Sequence, residues 1–181
     1  MNVRKIHDTI TAQEKHGDRA TPTITIRPFT ESDVDFVISR QLALYKSEYG
    51  FTSEIWNAYL TEGVHNFVKH FDPGRDCMNI LEKEGVPVGC IAITHVDTAT
   101  AQLRFFFIES EMRGQGCGHR LMNRAISFCR EKKYERVFLW TFSTLMAARH
   151  LYERKGFLIT GMHENTDWGG KILEERWDLK L

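Results

Sequence analysis

Proline is scarce, with four in 181 residues, and no apolar run approaches the roughly 18 residues that a membrane-spanning helix needs. Met1 to Ala20 mix charge and polarity without the apolar centre of an export signal, so the chain is expected to be cytoplasmic and without a membrane partner. Net charge is missing as well. The 24 Lys+Arg balance 24 Asp+Glu, which leaves no long-range field to gather nucleic acid. The four cysteines, Cys77, Cys90, Cys117 and Cys129, stand far apart, with no CxxC pair and no histidine at metal-ligand spacing. That pattern speaks against a disulfide framework or zinc site and predicts reduced thiols and no metal.

What is present suffices for one core: 42% of residues are hydrophobic and 12% aromatic. Residues 1–22 lack periodicity and end at Pro22, which reads as a flexible N-terminal tail before a single domain over 23–181. A strand over Thr23 to Arg27 precedes Thr30-Glu31-Ser32-Asp33, where a threonine with an acid three residues later resembles a helix start. Val34, Val37, Ile38, Leu42 and Tyr45 then keep helical spacing. A second apolar stripe runs from Ile55 through Trp56, Tyr59, Leu60, Val64 and Phe67 to Phe71, and stops at Asp72-Pro73-Gly74. Two runs, Met78 to Leu81 and Val88 to Val96, read as a hairpin. A strand over Ala101 to Ile108 follows, and its unbroken Phe105-Phe106-Phe107-Ile108 predicts cover on both faces. Next come a helix over Gly118 to Lys132, a strand Arg136 to Trp140, a helix Thr144 to Lys155 closed by Gly156, and a strand from Phe157. The last run alternates, with Trp177, Leu179 and Leu181 on one face. The fold class is therefore α/β: a mixed, twisted sheet with helices on both faces and hairpins early and late.

Between the apolar strand ending at Ile108 and the helix beginning near Gly118 lies Arg113-Gly114-Gln115-Gly116-Cys117-Gly118. Glycines allow a sharp turn and close approach, and the unpaired N–H groups of a helix's first turn attract an anion. A nucleotide P-loop would need Lys and Ser/Thr after Gly118, where His119-Arg120 stand instead. A dinucleotide fingerprint would need a glycine at 119 or 121, which hold His119 and Leu121.

The remaining pattern, Arg-x-x-Gly-x-Gly with an additional Gly114, resembles the acyl-CoA-binding motif of the GNAT acetyltransferase superfamily. The likeness extends from Phe106-Phe107-Ile108 through His119-Arg120-Leu121 to Leu151-Tyr152-Glu153-Arg154-Lys155-Gly156-Phe157. It looks closest to the acetyltransferase half of bacterial proteins that join a MarR-type winged helix to this domain, although no winged helix fits in residues 1–22. The resemblance implies a GNAT-like fold of about six or seven strands flanked by four helices. It implies an N-acetyltransferase that uses acetyl-CoA and passes the acyl group directly to a primary amine, small molecule or peptide, with both substrates bound. A homodimer is left open. Phe107 and Ile108 would pair with the pantetheine arm through their backbone. The N–H groups of Arg113, Gly114, Gln115, Gly116, Cys117, Gly118 and His119 would hold the pyrophosphate, and Arg113 can add a charge-assisted bond.

Leu145, Ala148 and Tyr152 lie three and four residues apart, so they share a helix face, and small Ala148 leaves room for a chain to pass. Tyr152 resembles the family's general acid, which protonates the departing sulfur. Where many relatives have asparagine, this chain has Leu145, so one polar contact is missing. An amine of pKa about 10.4 costs roughly 4.6 kcal/mol to deprotonate at pH 7, so a base or a desolvating pocket is required. Glu109, Glu111, His163 and Asp167 are candidates, and the resemblance implies an acceptor region around Tyr45, Tyr49, Trp56 and His163 to Trp168. The alternative reading is a non-catalytic acyl-CoA sensor or regulatory module.

Overall fold

The computed structural model describes residues 22–168 and 170–181, so the tail reading of residues 1–22 falls almost wholly outside the described residues. In chain order the elements are β1 (Ile24–Pro28), a 3-10 turn (Glu31–Asp33), α1 (Val34–Tyr49), α2 (Glu54–Lys69), β2 (Cys77–Lys83), β3 (Val86–His95) and β4 (Thr100–Ile108). A second 3-10 turn (Ser110–Met112), α3 (Cys117–Glu131), β5 (Arg136–Phe142), α4 (Met146–Arg154), β6 (Leu158–Asn165) and β7 (Ile172–Lys180) complete the order. The seven strands form one mixed sheet in the order β1-β2-β3-β4-β5-β7-β6, the α/β architecture expected from the sequence.

The helices sit where their apolar stripes dictate. Ser53 caps α2, its Oγ accepting the Trp56 N–H at 3.0 Å, and α1 ends where Gly50 takes the left-handed φ of 72°. Val37 and Leu44 of α1 and Leu60, Val64 and Phe67 of α2 bury against Met78, Ile80, Cys90 and Ala92 on one face of the sheet. On the other face, Leu121, Met122, Ala125, Ile126 and Cys129 of α3 pack on Leu81, Ile91, Ile93 and Leu103. In β7, Trp177 and Leu179 point into that second core, as the alternation predicts.

The Thr30–Asp33 signal begins a 3-10 turn that runs on into α1. Asp33 Oδ2 accepts the Thr30 N–H at 2.7 Å, and both Asp33 oxygens take the Arg27 guanidinium at 2.7 and 2.8 Å, which ties β1 to α1.

Two irregularities lie in β4. Cys90 pairs with Phe107 but Ala92 with Arg104, so the single residue Ile91 faces both Phe105 and Phe106, a β-bulge. Phe105 has φ 52°, a left-handed conformation that costs a bulky residue about 1–2 kcal/mol. The bulge switches the strand's face. Ala101 and Leu103 point to the α3 side, whereas Phe105 and Phe107 point to α1 and α2. Cover on both faces is thus correct for the apolar run, and the bulge is an additional cause that the sequence does not announce. Ahead of the bulge, β4 and β5 already part: their parallel pairing spans only Thr100–Gln102 against Arg136–Phe138.

The Arg27 guanidinium holds the Asp33 carboxyl down at about 2 against an ordinary 3.8, with burial opposing and the Thr30 bonds assisting. A depressed carboxylate contributes stability that is complete above the ordinary value and is lost as pH falls through the folded one. Asp33→Asn should therefore destabilise the fold at pH 7 by about 1–3 kcal/mol. In urea unfolding, its deficit relative to wild type should shrink as pH is lowered from 4 towards 2.

Candidate active site

The turn between β4 and α3 is shaped by its glycines. Met112, fully buried, anchors the 3-10 turn, and Gly114 and Gly116 adopt φ 75° and 77°. Only glycine takes that conformation without strain, and no atom lies within 4 Å of where either Cβ would be, so the turn faces open space. Gly116 is the N-cap of α3. Among the described residues, the N–H groups from Gly114 to His119 have no hydrogen-bond acceptor, whereas that of Arg120 donates to the Gly116 carbonyl at 3.1 Å. Adjacent free donors at a helix N-terminus make a main-chain anion cradle.

The flanking side chains divide in their roles. Arg113 closes the turn: its N–H donates to Ser110, its Nε to the Ile108 carbonyl at 3.1 Å, and its terminal nitrogens to Glu48 at 2.8 Å each. Its guanidinium is therefore already neutralised by a carboxylate from α1. Gln115 donates its amide to the Glu111 carbonyl, and Cys117 is buried in the core, leaving only its N–H on the cradle. A Cβ on Gly118 would lie 3.3 Å from Leu151 and 3.5 Å from Ile108, so this glycine lets α3 start tight against α4 and β4. His119 borders the groove. Desolvation, then the charges of Lys155, Arg154 and His150, lowers its pKa, so this end of the groove is positive.

From the cradle a groove of about 360 Å³ runs between Phe106, Phe107 and Ile108 on one side and Leu145, Ala147 and Ala148 on the other, with Leu44, Tyr45 and Tyr49 of α1 as its rim. It meets a second cavity, of about 300 Å³, at Tyr45 and Phe106, which line both. The junction lies where β4 and β5 separate. Tyr152, 5% exposed, lines the second cavity and packs on Phe106, Phe157 and Trp177. Burial pushes its phenol well above the ordinary tyrosine value, Tyr45 adds to the shift and Thr141 opposes it.

The second cavity is walled by Tyr45, Trp56, Tyr59, Trp140, Phe142 and Trp168, with polar groups between them. Three polar side-chain atoms of its lining residues are buried without a partner: Gln41 Oε1, Trp56 Nε1 and Thr141 Oγ1. Glu174 is engaged, accepting from Asn165 at 3.2 Å and from the Trp168 indole, and sitting 2.9 Å from His163 Nε2.

Of the four base candidates, only His163 reaches this cavity's wall, through Glu174. Glu109 is bound bidentately by Arg40 at 2.6 and 2.8 Å, Glu111 is exposed, and Asp167 offers its carbonyl to Ser53. Tyr45, Trp56 and Trp168 line the cavity as expected, whereas Tyr49 lines the groove. Gln41, Arg104, Thr141 and Glu174 were not anticipated. Two carried a signal: Gln41 stands on the buried stripe with Val37 and Leu44, and Thr141 continues the inward positions of Val137 and Leu139. A polar residue where the period asks for an apolar one marks a site.

The site thus sits in an α/β domain whose mixed sheet opens between two parallel strands above a glycine-capped helix. The model of the Acetyltransferase (GNAT) family matches residues 41–157, and the chain belongs to that family. It is 29% identical over 128 residues to N-acetylaspartate synthetase of Danio rerio, covering 67% of this chain and 45% of that protein. It is 28% identical over 130 residues to human N-acetyltransferase 8, covering 66% and 57%. The chain spans about half the length of the curated relatives it matches. Among solved structures, a GNAT-family acetyltransferase from Staphylococcus aureus Mu50 superposes with a TM-score of 0.71 at 19% identity, covering 88% of this chain and 99% of that one. The acetyltransferase yncA from Salmonella typhimurium, solved with its cofactor acetyl-CoA, gives 0.70 at 16% identity, covering 87% and 94%.

The tight seat of Gly118 sets a stability test. Gly118→Val forces Leu151 and Ile108 apart and should destabilise the protein by about 1–3 kcal/mol, read as a lower urea midpoint at unchanged slope.

Proposed function

We propose that this chain is an acetyl-CoA-dependent N-acetyltransferase acting on a primary amine, with both substrates bound and the amine attacking directly. The observation that carries the reading is the junction at Tyr45 and Phe106, where a groove that starts at a cradle of free main-chain N–H donors opens into an aromatic cavity beside a buried phenol. The open cradle and the freed edge of β4 fit a long thioester carrier with a diphosphate. Acetyl-CoA supplies an activated acyl group.

The chain's own residues divide the work. The N–H groups from Gly114 to His119 hold the diphosphate, and the positive surroundings of His119 assist. The backbone of Phe107 and Ile108, beyond the reach of β5, is left to pair with the extended arm of the carrier. Main-chain N–H donors of the bulged strand polarise the acyl oxygen. Tyr152, a buried phenol protonated at neutral pH, gives its proton to the departing sulfur. Glu174 takes the amine's proton and passes it to His163, whose side chain is half exposed and hands it to water. Arg113 serves by joining α1 to the turn through Glu48.

The four unpaired cysteines support a reducing, cytoplasmic setting. Among the described residues no helix is long and apolar enough to cross a membrane. The motif detail over 101–157 supports a likeness to the acetyltransferase half of the MarR-type fusions, and a small-molecule acceptor suits a cavity of about 300 Å³.

Coenzyme A at a hundred times its Kd should stabilise the protein by about 2.7 kcal/mol in a thermal-shift assay, and ATP should not reproduce the shift. Tyr152→Phe should lower kcat by about 10²–10⁴-fold with coenzyme A affinity almost unchanged. Wild-type protein that binds acetyl-CoA yet acylates no amine in a broad panel would instead be a sensor.

A further inference from the structure

On α2, Trp56, Tyr59, Leu60 and Gly63 fall three and four residues apart and so share one face, the first three lining the aromatic cavity. Glycine inside a helix costs about 1 kcal/mol relative to alanine. Gly63 has a use that offsets this: a Cβ there would lie 2.9 Å from a terminal nitrogen of Arg104. The missing side chain makes room for a guanidinium.

Arg104 belongs to β4, lines the cavity, and lies with its Cζ 4.7 Å from the centre of the Phe105 ring. Arg27, Arg40, Arg113, Arg149 and Arg176 each hold a carboxylate. Among the described residues, Arg104 is the one half-buried arginine that has neither an ion pair nor a hydrogen bond. A half-buried guanidinium has given up part of its hydration, and an anion in the cavity would offset that loss. The indole N–H of Trp56 is a second free donor on the same cavity, while Gln41 Oε1 and Thr141 Oγ1 are free to accept. Trp56, Gln41 and Thr141 are each at most 5% exposed. Glu174 is already held by His163, Asn165 and Trp168.

We infer that the acceptor is a free amino acid with an apolar or aromatic side chain. Arg104 reads its carboxylate, with the Trp56 indole N–H as the second donor, while Gln41 Oε1 and Thr141 Oγ1 face its amine and the aromatic walls take its side chain. This assignment rests on the acetyl-transfer reading and adds the acceptor to it. One unpaired cation matches one carboxylate, which disfavours dicarboxylic acceptors. Bare amines leave the guanidinium unpaired, and that is the source of discrimination.

The test is a calorimetric titration of the full chain, saturated with coenzyme A, with matched pairs that differ only by the carboxylate: L-phenylalanine against phenethylamine, and L-leucine against 3-methylbutylamine. In wild type the amino acid should bind at least about 10-fold more tightly than its decarboxylated partner. Arg104→Gln should bring each pair to parity and Arg104→Lys should restore part of the preference. Gly63→Ala, which displaces the guanidinium while favouring the helix, should narrow the preference without loss of fold. Equal binding within the pairs, binding by neither member, or a preference that survives Arg104→Gln would overturn the assignment. Coenzyme A is titrated in parallel. Its failure to bind wild type would sink the acetyl-transfer reading itself, whereas intact coenzyme A binding with no carboxylate preference would sink the acceptor assignment alone.

Discussion

The parting of β4 from β5 is the constraint on which the rest of the structure depends. Each strand is fully engaged on its outer edge, β4 with β3 and β5 with β7 over Arg136–Phe142, while their shared parallel pairing lasts for three residues. Past Gln102 and Phe138 the two inner edges are left without each other, and unpaired backbone groups in a protein interior are tolerated only where something else meets them. The groove and the cavity therefore open there. Sheet order accomplishes this as much as local sequence: β7 inserts between β5 and β6, so β5 is held away from β4 by a long antiparallel partner.

Several local departures from the most stable choice cluster around that opening. Phe105 is left-handed, Gly63 sits inside a helix, and Gln41, Trp56 and Thr141 bury polar atoms without partners. Each costs about 1–3 kcal/mol. In the remainder of the sheet such departures are few, since Leu81, Ile91, Ile93, Val137 and Leu139 fill the interior in the ordinary alternating way. Concentrated strain on a well-packed frame is what a binding site looks like energetically.

This distribution also explains what could be read from the sequence. Apolar period and glycine position are local signals, so the seven strands, the four helices and the turn before α3 were legible, with ends displaced by a residue or two. Glu174 was not, because its relation to Tyr152, Trp56 and Arg104 exists only once β7 lies beside β5 and α2 crosses β4. Nor was the bulge, whose signature, four apolar residues in a row, is equally that of a strand covered on both sides. Arg113 shows the same limit. Its charge and position suggest an anion contact, but Glu48, 65 residues earlier, reaches it first.

That pairing bears on how the two halves of the site hold together. Helix α1 is joined to the end of β4 by Arg40–Glu109 and to the glycine turn by Arg113–Glu48, and both pairs are partly exposed. Exposed pairs of this kind contribute little, about 0–1 kcal/mol. Burial of Val37 and Leu44 must therefore fix α1 against the sheet, leaving the ion pairs to set its rotation. Tyr45 lies one residue beyond Leu44 and lines both the groove and the cavity, so that rotation fixes the width of the passage between them. Arg113, whose charge suggests an anion contact, instead positions the helix that separates the groove from the cavity, and the free donors at the turn are those of the main chain.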